Sequence, residues 1–415
     1  MDPEKTLLLV GHPTAAVRAA KGFGLDVVLV QHKSKLDAEQ AELADVTLVV
    51  DYTDWSAVRP LVEAVHARWG FSAALSLTDP GMDAAGRVND LFGLGGTGHD
   101  VCRRFRDKLE TRRRLTAAGA PAVGAELLDD RTGLVRFGDR CGYPFIVKPR
   151  DLAGGFGVLR VDGPADAGRV WERVSRVRAT GVDRGPSALF TVADFVMEEY
   201  VDGPEFSVEA FSFAGRHVVV AVTEKLTDEA HFAELGHALP ARLDPATEDA
   251  VVAAVTGCLD AVGLADGPSH TEVRVGSRGP VVIESHNRIG GDRIGDLVEA
   301  AYGIDLTSWA VGWPFRLVDE PPARPGAAGG ACVRFLHAPA AGRVAGVDGL
   351  DEARAVADVL DADVTVRAGD PVRAVENNWD RLGLVVTRGV DTDAAVKLCD
   401  GLVEDTLRVR VEPAR

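Results

Sequence analysis

Two strand-like runs between residues 268 and 293 each bring one glutamate to the same small region. Glu272 lies in the alternating run HTEVRV, Glu284 ends the apolar run VVIE, and the residues GSRGP separate the two runs. Pro280 has no N–H to give to a strand ladder, so we assign it to a five-residue loop at 276–280. Counting outward from that loop predicts that the two glutamates face each other across a β-hairpin.

Facing side chains in a hairpin have Cβ atoms about 5 Å apart, where like charges repel unless a positive charge lies between them. A hard divalent cation fits such a place, because Mg²⁺ takes one or two carboxylates and completes its shell with water and substrate phosphates. His286 or Asn287 could add a ligand, and Arg288 places a guanidinium nearby that suits a carboxylate or phosphoryl oxygen. The alternative explanation is an exposed acidic hairpin, which is the commoner case for an arbitrary glutamate pair.

Length and composition limit the remaining possibilities. The chain has 415 residues, which predicts two to three domains, and its 46% hydrophobic and 26% charged residues are ordinary for a soluble globular protein. A net charge of −17 disfavours nucleic acid and anionic membranes as partners, and no apolar run approaches the ~20 residues that a membrane span needs. The start MDPEKTLLLV is not typical of a secretion signal, and five scattered cysteines without CxxC indicate neither disulfides nor a zinc site. We expect a cytoplasmic protein.

The first hundred residues alternate strand-like and helix-like segments, which predicts a small parallel α/β domain. The predicted strands cover 6–10, 26–30, 46–50 and 73–77. The turn after the first strand is GHPTAA, which lacks the GxGxxG fingerprint, so we exclude a nicotinamide-linked dehydrogenase.

A strand that ends at Lys148 is followed by a loop containing Gly154, Gly155 and Gly157. Glycines let backbone N–H groups close on phosphate oxygens, and a lysine at the end of the strand adds a positive charge. The loop is not a Walker motif, and a glycine-rich hairpin is more often a plain turn. Lys108 lies in a basic helical run, which is ordinarily a solvated helix face.

Two later segments carry acidic and histidine side chains. In 195–213 a strand stops at paired acids and resumes at Glu205, where a carboxylate could accept both hydroxyls of a ribose or simply be an exposed strand end. The segment 231–240, HFAELGHALP, contains Glu234 and His237 at a spacing that matches no strong zinc pattern, so we favour contact with a substrate.

Taken together, the two lysines, the glycine loop, the EEYVDGPE segment and the glutamate pair resemble the ATP-grasp superfamily in their order and spacing. The resemblance implies a multidomain α/β and α+β fold. Its parts would be a Rossmann-like domain at 1–100, an ATP-grasp domain at 101–318 with a mobile lid at about 121–200, and a small α+β cap at 319–415.

Carried over by position, the resemblance implies a site for ATP and for Mg²⁺, two ions in number, with Mn²⁺ as a substitute. The expected nucleotide contacts are Lys108, Lys148, Gly154, Gly155, Gly157, Glu198, Tyr200, Val201 and Glu205. The expected metal ligands are Glu272, Glu284 and Asn287. The usual run of the superfamily is Glu-x-Asn-x-Arg, whereas residues 284–288 are Glu-Ser-His-Asn-Arg, so the third ligand is either His286 or Asn287.

Within the superfamily, HFAELGHALPA followed by HTEV and the arginine is most similar to bacterial L-amino acid ligases of the bacilysin-synthetase kind. The similarity implies that Glu234, His237 and Arg288 contact an amino acid substrate. It also implies ATP-dependent joining of that substrate's α- or side-chain carboxylate to the amine of a second amino acid through an acyl phosphate, giving a dipeptide, ADP and phosphate. In those relatives a bulky aromatic lies four residues beyond the arginine; here Asp292 occupies that place, so a substrate of different size or charge is expected.

We therefore expect small-molecule amino acid substrates, no nucleic acid or membrane partner, a homodimer as one possible assembly, and a role in antibiotic biosynthesis. The competing interpretations are another ATP-grasp chemistry, either biotin carboxylation or a purine-pathway step, and a non-catalytic nucleotide-binding sensor.

Overall fold

The computed structural model describes residues 1–152, 154–180, 192, 194–228 and 231–413. The described residues form four β-sheets surrounded by helices. Among them, no helix combines the length and the apolar composition that crossing a membrane requires.

The N-terminal sheet is parallel, and its first strand is buried at every position, as expected for a strand that helices cover on both faces. The strands are β1 (Thr6–Val10), β2 (Asp26–Gln31), β3 (Val46–Val49) and β4 (Ala73–Leu75). Their spatial order is β3-β2-β1-β4. The helices are α1 (Thr14–Gly22), α2 (Ala38–Leu43), α3 (Trp55–Trp69) and α4 (Asp79–Phe92).

A second unit has its own antiparallel sheet and its own apolar core, which includes Phe137 and Phe145. The helices α5 (His99–Arg106) and α6 (Lys108–Ala117) lead into it. Its elements are β5 (Ala125–Leu127), α7 (Arg131–Cys141), β6 (Phe145–Pro149), β7 (Leu159–Val161), α8 (Ala167–Thr180) and β8 (Phe195–Glu199). The strand order is β5-β8-β6-β7, so Lys148, near the end of β6, lies beside β8.

The remaining chain contributes the central sheet and a smaller one. Its strands are β9 (Glu205–Phe213), β10 (Arg216–Thr227), β11 (Glu234–Leu239), β12 (Gly267–Gly276), β13 (Gly279–His286), β14 (Gly330–His337), β15 (Gly342–Asp348), β16 (Val359–Val364), β17 (Pro371–Val372), β18 (Arg381–Gly389) and β19 (Arg408–Pro413). Its helices are α9 (Pro245–Val262), α10 (Ile294–Tyr302), α11 (Leu306–Gly312), α12 (Leu350–Arg354) and α13 (Thr392–Gly401).

Helix α9 packs behind the hairpin formed by β12 and β13. It begins after Asp244, whose carboxylate accepts hydrogen bonds from two backbone N–H groups of the first turn, and it ends at Gly263, which adopts a left-handed conformation with φ +80°. Its apolar face, including Val255 and Leu259, is buried with Val273 of β12 in one core. Burial of each such side chain stabilises the fold by roughly 1.5–3 kcal/mol, which holds the hairpin rigidly in place.

The C-terminal region, for which the sequence predicts a cap from residue 319, shares a sheet with the residues before it. The central sheet runs β13-β12-β9-β10-β11-β14-β18-β16, so three strands of that region extend the sheet formed by β9 to β13. Among the described residues, β17-β15-β19 make a further sheet that lies wholly within the C-terminal region. Residues 320–330, EPPARPGAAGG, have the proline-rich composition of a domain boundary, but composition does not show that β14 hydrogen-bonds to β11.

The hairpin itself differs from the prediction in its turn and agrees with it in its pairing. Pro280 is a strand residue, and β12 and β13 are joined by only two residues, 277 and 278. A proline is tolerated there because β13 is the edge strand of the sheet. The shorter turn shifts the register by one residue, and a β-bulge at Ile283 shifts it back, so Glu272 does face Glu284.

Candidate active site

A cleft lies between the sheet of the second unit and the central sheet. It brings together most of the residues predicted to bind nucleotide and metal. Those that line it are Lys108, Lys148, Gly154, Gly155, Glu198, Tyr200, Val201, Glu205, Glu234, Glu272 and Glu284. The predicted residues Gly157, His237, Asn287 and Arg288 lie outside its lining.

The opposed glutamates face the cleft, and each carboxylate is paired with a buried lysine. Lys225 Nζ lies 2.6 Å from Glu272, and Lys108 Nζ lies 2.8 Å from Glu284. Burial alone would raise the pKa of the Glu272 carboxyl, but the Lys225 ammonium outweighs burial and the pKa falls to about 2. Burial also acts on Glu284, where Lys108 and His286 hold the pKa well below its usual range. Both carboxylates are therefore ionised at neutral pH.

Lys225 is the centre of a charge cluster that sequence reasoning missed. Its side chain is 1% exposed, and its Nζ lies 2.8 Å from Glu205, 2.5 Å from Glu234 and 2.6 Å from Glu272. Burial disfavours the ammonium, but the surrounding carboxylates raise its pKa well above the usual value. The only signal in the sequence was a lysine near the end of an apolar strand, which is also what an exposed strand end looks like.

Glu198 lines the cleft and lies between two cationic side chains. Its carboxylate is buried between Lys148, whose Nζ lies 2.7 Å away, and Arg112, whose Nε lies 3.1 Å away. It therefore orients Lys148, and the residues that follow it, Tyr200 and Val201, which we call the hinge, line the same cleft. Arg112 was missed because it lies in a run of three arginines whose buried member cannot be recognised from composition.

Glu205 begins β9 at the edge of the cleft, as predicted. Besides Lys225, its carboxylate accepts a hydrogen bond from Arg274 Nε at 3.3 Å. Arg274 also donates to the Tyr200 hydroxyl at 3.2 Å and to the Val201 carbonyl at 2.9 Å. Arg274 thus connects the candidate ribose-binding carboxylate to the hinge.

The glycine loop adopts backbone conformations that other residues rarely reach. Gly154, Gly155 and Gly157 have φ of +77°, +68° and +69°. The first two line the cleft, and a Cβ on Gly155 would come within 3.1 Å of the Phe232 carbonyl oxygen. Gly157 packs against Pro149 instead, so its part is to shape the loop.

The predicted substrate residues Glu234 and His237 are held by the C-terminal region. Glu234 accepts hydrogen bonds from Asn378 Nδ2 at 2.8 Å and from Arg381 Nη2 at 3.2 Å. Arg381 also lies 2.8 Å from Asp292, which in turn is 3.5 Å from Nε2 of the buried His237. Asn378 and Arg381 were not anticipated, because they are about 145 residues away from Glu234 in the chain.

Arg288 lies beside the carboxyl edge of the N-terminal sheet. Its Nε donates to Asp79 Oδ2 at 2.9 Å, and Asp79 Oδ1 lies 3.0 Å from His286 Nδ1. Burial opposes ionisation of Asp79, but Arg288 and His286 hold the pKa of that carboxyl well below its usual range. Asp79 follows β4 at an edge where parallel α/β sheets commonly place functional residues, which is the signal that could have identified it.

Asn287 is not brought to the glutamate pair, which corrects its assignment as a metal ligand. Its Nδ2 lies 3.4 Å from Cys102 Sγ, and the two side chains line a different cavity. Side chains alternate along β13, so Glu284 and His286 share a face, and His286 Nε2 lies 3.1 Å from Glu284 Oε1. Of the two candidates for the third ligand, His286 is the one placed beside the pair.

Comparison with known families agrees with this arrangement. Residues 141–296 match the ATP-grasp domain, and residues 334–412 match the L-amino acid ligase C-terminal domain 2. The chain therefore contains an ATP-grasp domain. The second match lies in the region that supplies Asn378 and Arg381, and it confirms the predicted similarity to L-amino acid ligases. The enzyme class is thereby confirmed as an ATP-dependent carboxylate–amine ligase.

Individual relatives support the same fold. The L-amino acid ligase from Bacillus licheniformis superimposes with a TM-score of 0.83 at 22% identity and covers 99% of this chain and 100% of its own. Phosphoribosylglycinamide synthetase from Anaerococcus prevotii gives a TM-score of 0.71 at 17% identity, over 98% and 100% of the two chains. At these identities the superpositions show a shared fold, which confirms the predicted fold class.

Two curated relatives are longer than the region that matches this chain. The uncharacterized protein y4rH of Sinorhizobium fredii is 26% identical over 383 residues, which is 91% of this chain and 76% of that protein. Human carnosine synthase 1 is 26% identical over 343 residues, which is 78% of this chain but 41% of that protein. The chain therefore spans less than half the length of the carnosine synthase that it resembles.

Proposed function

We propose that this ligase joins the carboxylate of one amino acid to the amine of a second, with an acyl phosphate as intermediate and a dipeptide, ADP and phosphate as products. The observation that carries the proposal is that Glu272 and Glu284 face each other in the same cleft as Lys108, Lys148 and the glycine loop. This combination suits a nucleotide triphosphate with its metal.

The donor set of the cleft fits a hard divalent cation. Glu272 and Glu284 are both ionised, oxygen-bearing and directed at one volume. A cation bound there supplies charge neutralisation for the phosphates and polarises the terminal phosphoryl group. Lys108 and Lys148 add positive charge on the same side of the cleft, and Glu198 keeps Lys148 in position.

In the first step an oxygen of the donor carboxylate forms a bond to the γ-phosphorus, and the bond from that phosphorus to the β–γ bridging oxygen breaks, releasing ADP. The main obstacle is the repulsion between the carboxylate and the phosphate anions, so positioned positive charge should contribute most to lowering the barrier of this step. The guanidinium of Arg288 supplies such a charge, and the hydrogen bond from its Nε to Asp79 fixes its orientation.

In the second step the amine attacks the acyl carbon and phosphate leaves. The nitrogen must lose a proton, and two groups were candidates for the base. Burial raises the pKa of Glu234, but Lys225 outweighs burial and holds it well below the usual range, so Glu234 stays ionised and suits binding of a substrate ammonium group. His237, whose Nε2 lies 3.5 Å from Asp292 Oδ2, is then the remaining candidate for the proton acceptor.

Two alternatives are less well supported. Biotin carboxylases share the fold, with a TM-score of 0.70 for the Campylobacter jejuni enzyme, but the match of residues 334–412 is to amino acid ligases. A non-catalytic nucleotide sensor would not need the paired carboxylates together with the charged side chains around Glu234 in the same cleft.

The test is a screen of amino acid pairs for phosphate release, with mass spectrometry of the products. We expect ADP formation that requires two amino acids and a product heavier than either one. ADP formation that bicarbonate supports and amino acids do not would favour a carboxylase instead. Nucleotide binding without turnover under any pair would favour a sensor.

A further inference from the structure

Trp379, in the C-terminal region, is 47% exposed although it lines a cavity beside Arg288. We propose that Trp379 forms an aromatic wall of the amino acid site, and that one of the two substrates carries an uncharged aromatic side chain that packs on its indole. The inference rests on the proposed function, because it names the class of one of the amino acids that the ligase joins.

The six tryptophans of the chain all lie among the described residues, and they differ in what their rings contact. Five have an aromatic ring or a guanidinium as a partner, namely Trp55, Trp69, Trp171, Trp309 and Trp313. Within the described part of the chain Trp379 has neither, and no acceptor receives its indole N–H. A single exposed apolar side chain needs no explanation by itself, so the location of this one decides its meaning.

Trp379 lines a cavity at the carboxyl edge of the N-terminal sheet, which we call the edge cavity. The strand order β3-β2-β1-β4 reverses between β1 and β4, and the residues that follow both strands line the edge cavity. Parallel α/β sheets bind their ligands at such a reversal. Arg288, the guanidinium assigned to the first chemical step, lines the same cavity. The exposed indole is therefore open to the space beside that arginine.

The backbone around Trp379 is fixed by its neighbours in the chain. Trp379 is the middle residue of a three-residue 3₁₀ helix, and residues on both sides of it contact candidate substrate residues. Asn378 Nδ2 donates to Glu234 at 2.8 Å, and Arg381 Nη1 lies 2.8 Å from Asp292. An aromatic side chain held in this way loses little conformational entropy when a ligand packs on it.

The charges of the edge cavity favour an uncharged ring over a charged side chain. Its four acidic residues are already engaged, because Asp79, Asp292 and Asp296 pair with arginines and Asp37 caps α2. A basic side chain would therefore find no free carboxylate, and an acidic one would meet the negative face of the indole. An aromatic ring can place its positive edge against that face.

The first test compares phenylalanine with alanine as one member of the amino acid pair, and fragment-ion mass spectrometry shows which position of the dipeptide each takes. In W379A we expect the KM for phenylalanine to rise about 10-fold or more and that for alanine less than about twofold, with kcat nearly unchanged. W379F keeps a ring and should retain most of the preference, whereas W379L keeps apolar volume without a ring and should retain less. L360A, at another exposed apolar residue of the C-terminal region, is the matched control and should leave both KM values unchanged.

The second test measures binding without turnover, by intrinsic fluorescence with a non-hydrolysable ATP analogue. Trp379 is the exposed member of the six tryptophans, so its emission should move to shorter wavelength when an aromatic ring displaces water from the indole. We expect this shift with phenylalanine, a smaller one with alanine, and none in W379F. A purely structural role for Trp379 would not produce it.

The outcomes separate this inference from the proposed function. Equal rises in KM for phenylalanine and alanine in W379A would overturn the inference, and so would a preference for lysine or arginine that W379A removes. Turnover of aliphatic pairs alone, with the same KM values in W379A, would overturn it and leave the proposed function standing. Absence of ADP formation with every pair, while phenylalanine still shifts the emission of Trp379, would overturn the proposed reaction and support the aromatic wall.

Discussion

Replacing Lys225 by methionine should destabilise the protein at neutral pH. The substitution keeps an unbranched side chain of similar length but leaves Glu205, Glu234 and Glu272 without the ammonium that lies within 2.8 Å of all three. The fall in the pKa of Glu272 from 4.5 to about 2 alone corresponds to about 3 kcal/mol. Removing one partner of a buried ion pair typically costs about 3–5 kcal/mol, so we expect a loss in that range.

The loss should depend on pH in a definite direction. In the unaltered chain the pKa of Glu272 is depressed, so its contribution is present above the unfolded pKa of 4.5 and disappears only as the pH falls toward 2. In K225M burial and mutual repulsion raise the pKa of the same carboxyls instead. Protonation then relieves the repulsion, and the deficit should shrink as the pH falls from 7 toward 5.

The assay is urea unfolding at pH 7 and pH 5 in EDTA, followed by intrinsic fluorescence, with a repeat in Mg²⁺. K397M, at an exposed lysine of α13, is the matched control and should change the free energy of unfolding by no more than about 0.5 kcal/mol. Added Mg²⁺ should stabilise K225M, because a bound cation shields the same carboxylates. Equal stability of K225M and the unaltered chain at pH 7 would refute the assignment of Lys225 as their counter-ion.

Three further outcomes are expected. E284A should abolish ADP release, because it removes one of the two opposed carboxylates, and unchanged ADP formation in a coupled assay would remove the metal assignment. E198Q should weaken ATP binding in calorimetry, because Lys148 loses its charged partner at 2.7 Å, and an unchanged affinity would separate that lysine from the nucleotide. Burial lowers the pKa of His270, but the Glu209 carboxylate outweighs burial and raises the pKa to about 9. The stability that this pair contributes is fully present below the unfolded pKa of 6.5 and is lost as the pH rises through 9. The free energy of unfolding of H270Q should therefore change less between pH 6.5 and pH 9 than that of the unaltered chain.

The local sequence pattern was sufficient to predict the parts of the site that lie on one hairpin or one loop. The facing of Glu272 and Glu284 follows from alternation along two adjacent strands, and it survived an incorrect turn because the bulge at Ile283 compensated for the displaced Pro280. The glycine loop and Glu205 were likewise found where their strands begin or end.

Several of the residues that were missed act over long separations in the chain. Arg112 reaches Glu198 across 86 positions, and Asp79 reaches Arg288 across 209. Such partners are decided by how sheets and domains pack, which periodicity does not reveal. Asn287 was chosen because it keeps the residue type of the family run, whereas the alternation along β13 puts His286 on the face of Glu284.

The central claim is that the cleft brings a carboxylate oxygen to the terminal phosphorus of ATP. It is tested most directly with a donor amino acid labelled with ¹⁸O in its carboxyl group, once the screen has identified the donor. The account predicts that each turnover transfers one ¹⁸O atom to the inorganic phosphate, as seen by mass spectrometry. Phosphate that carries no ¹⁸O while dipeptide accumulates would contradict it.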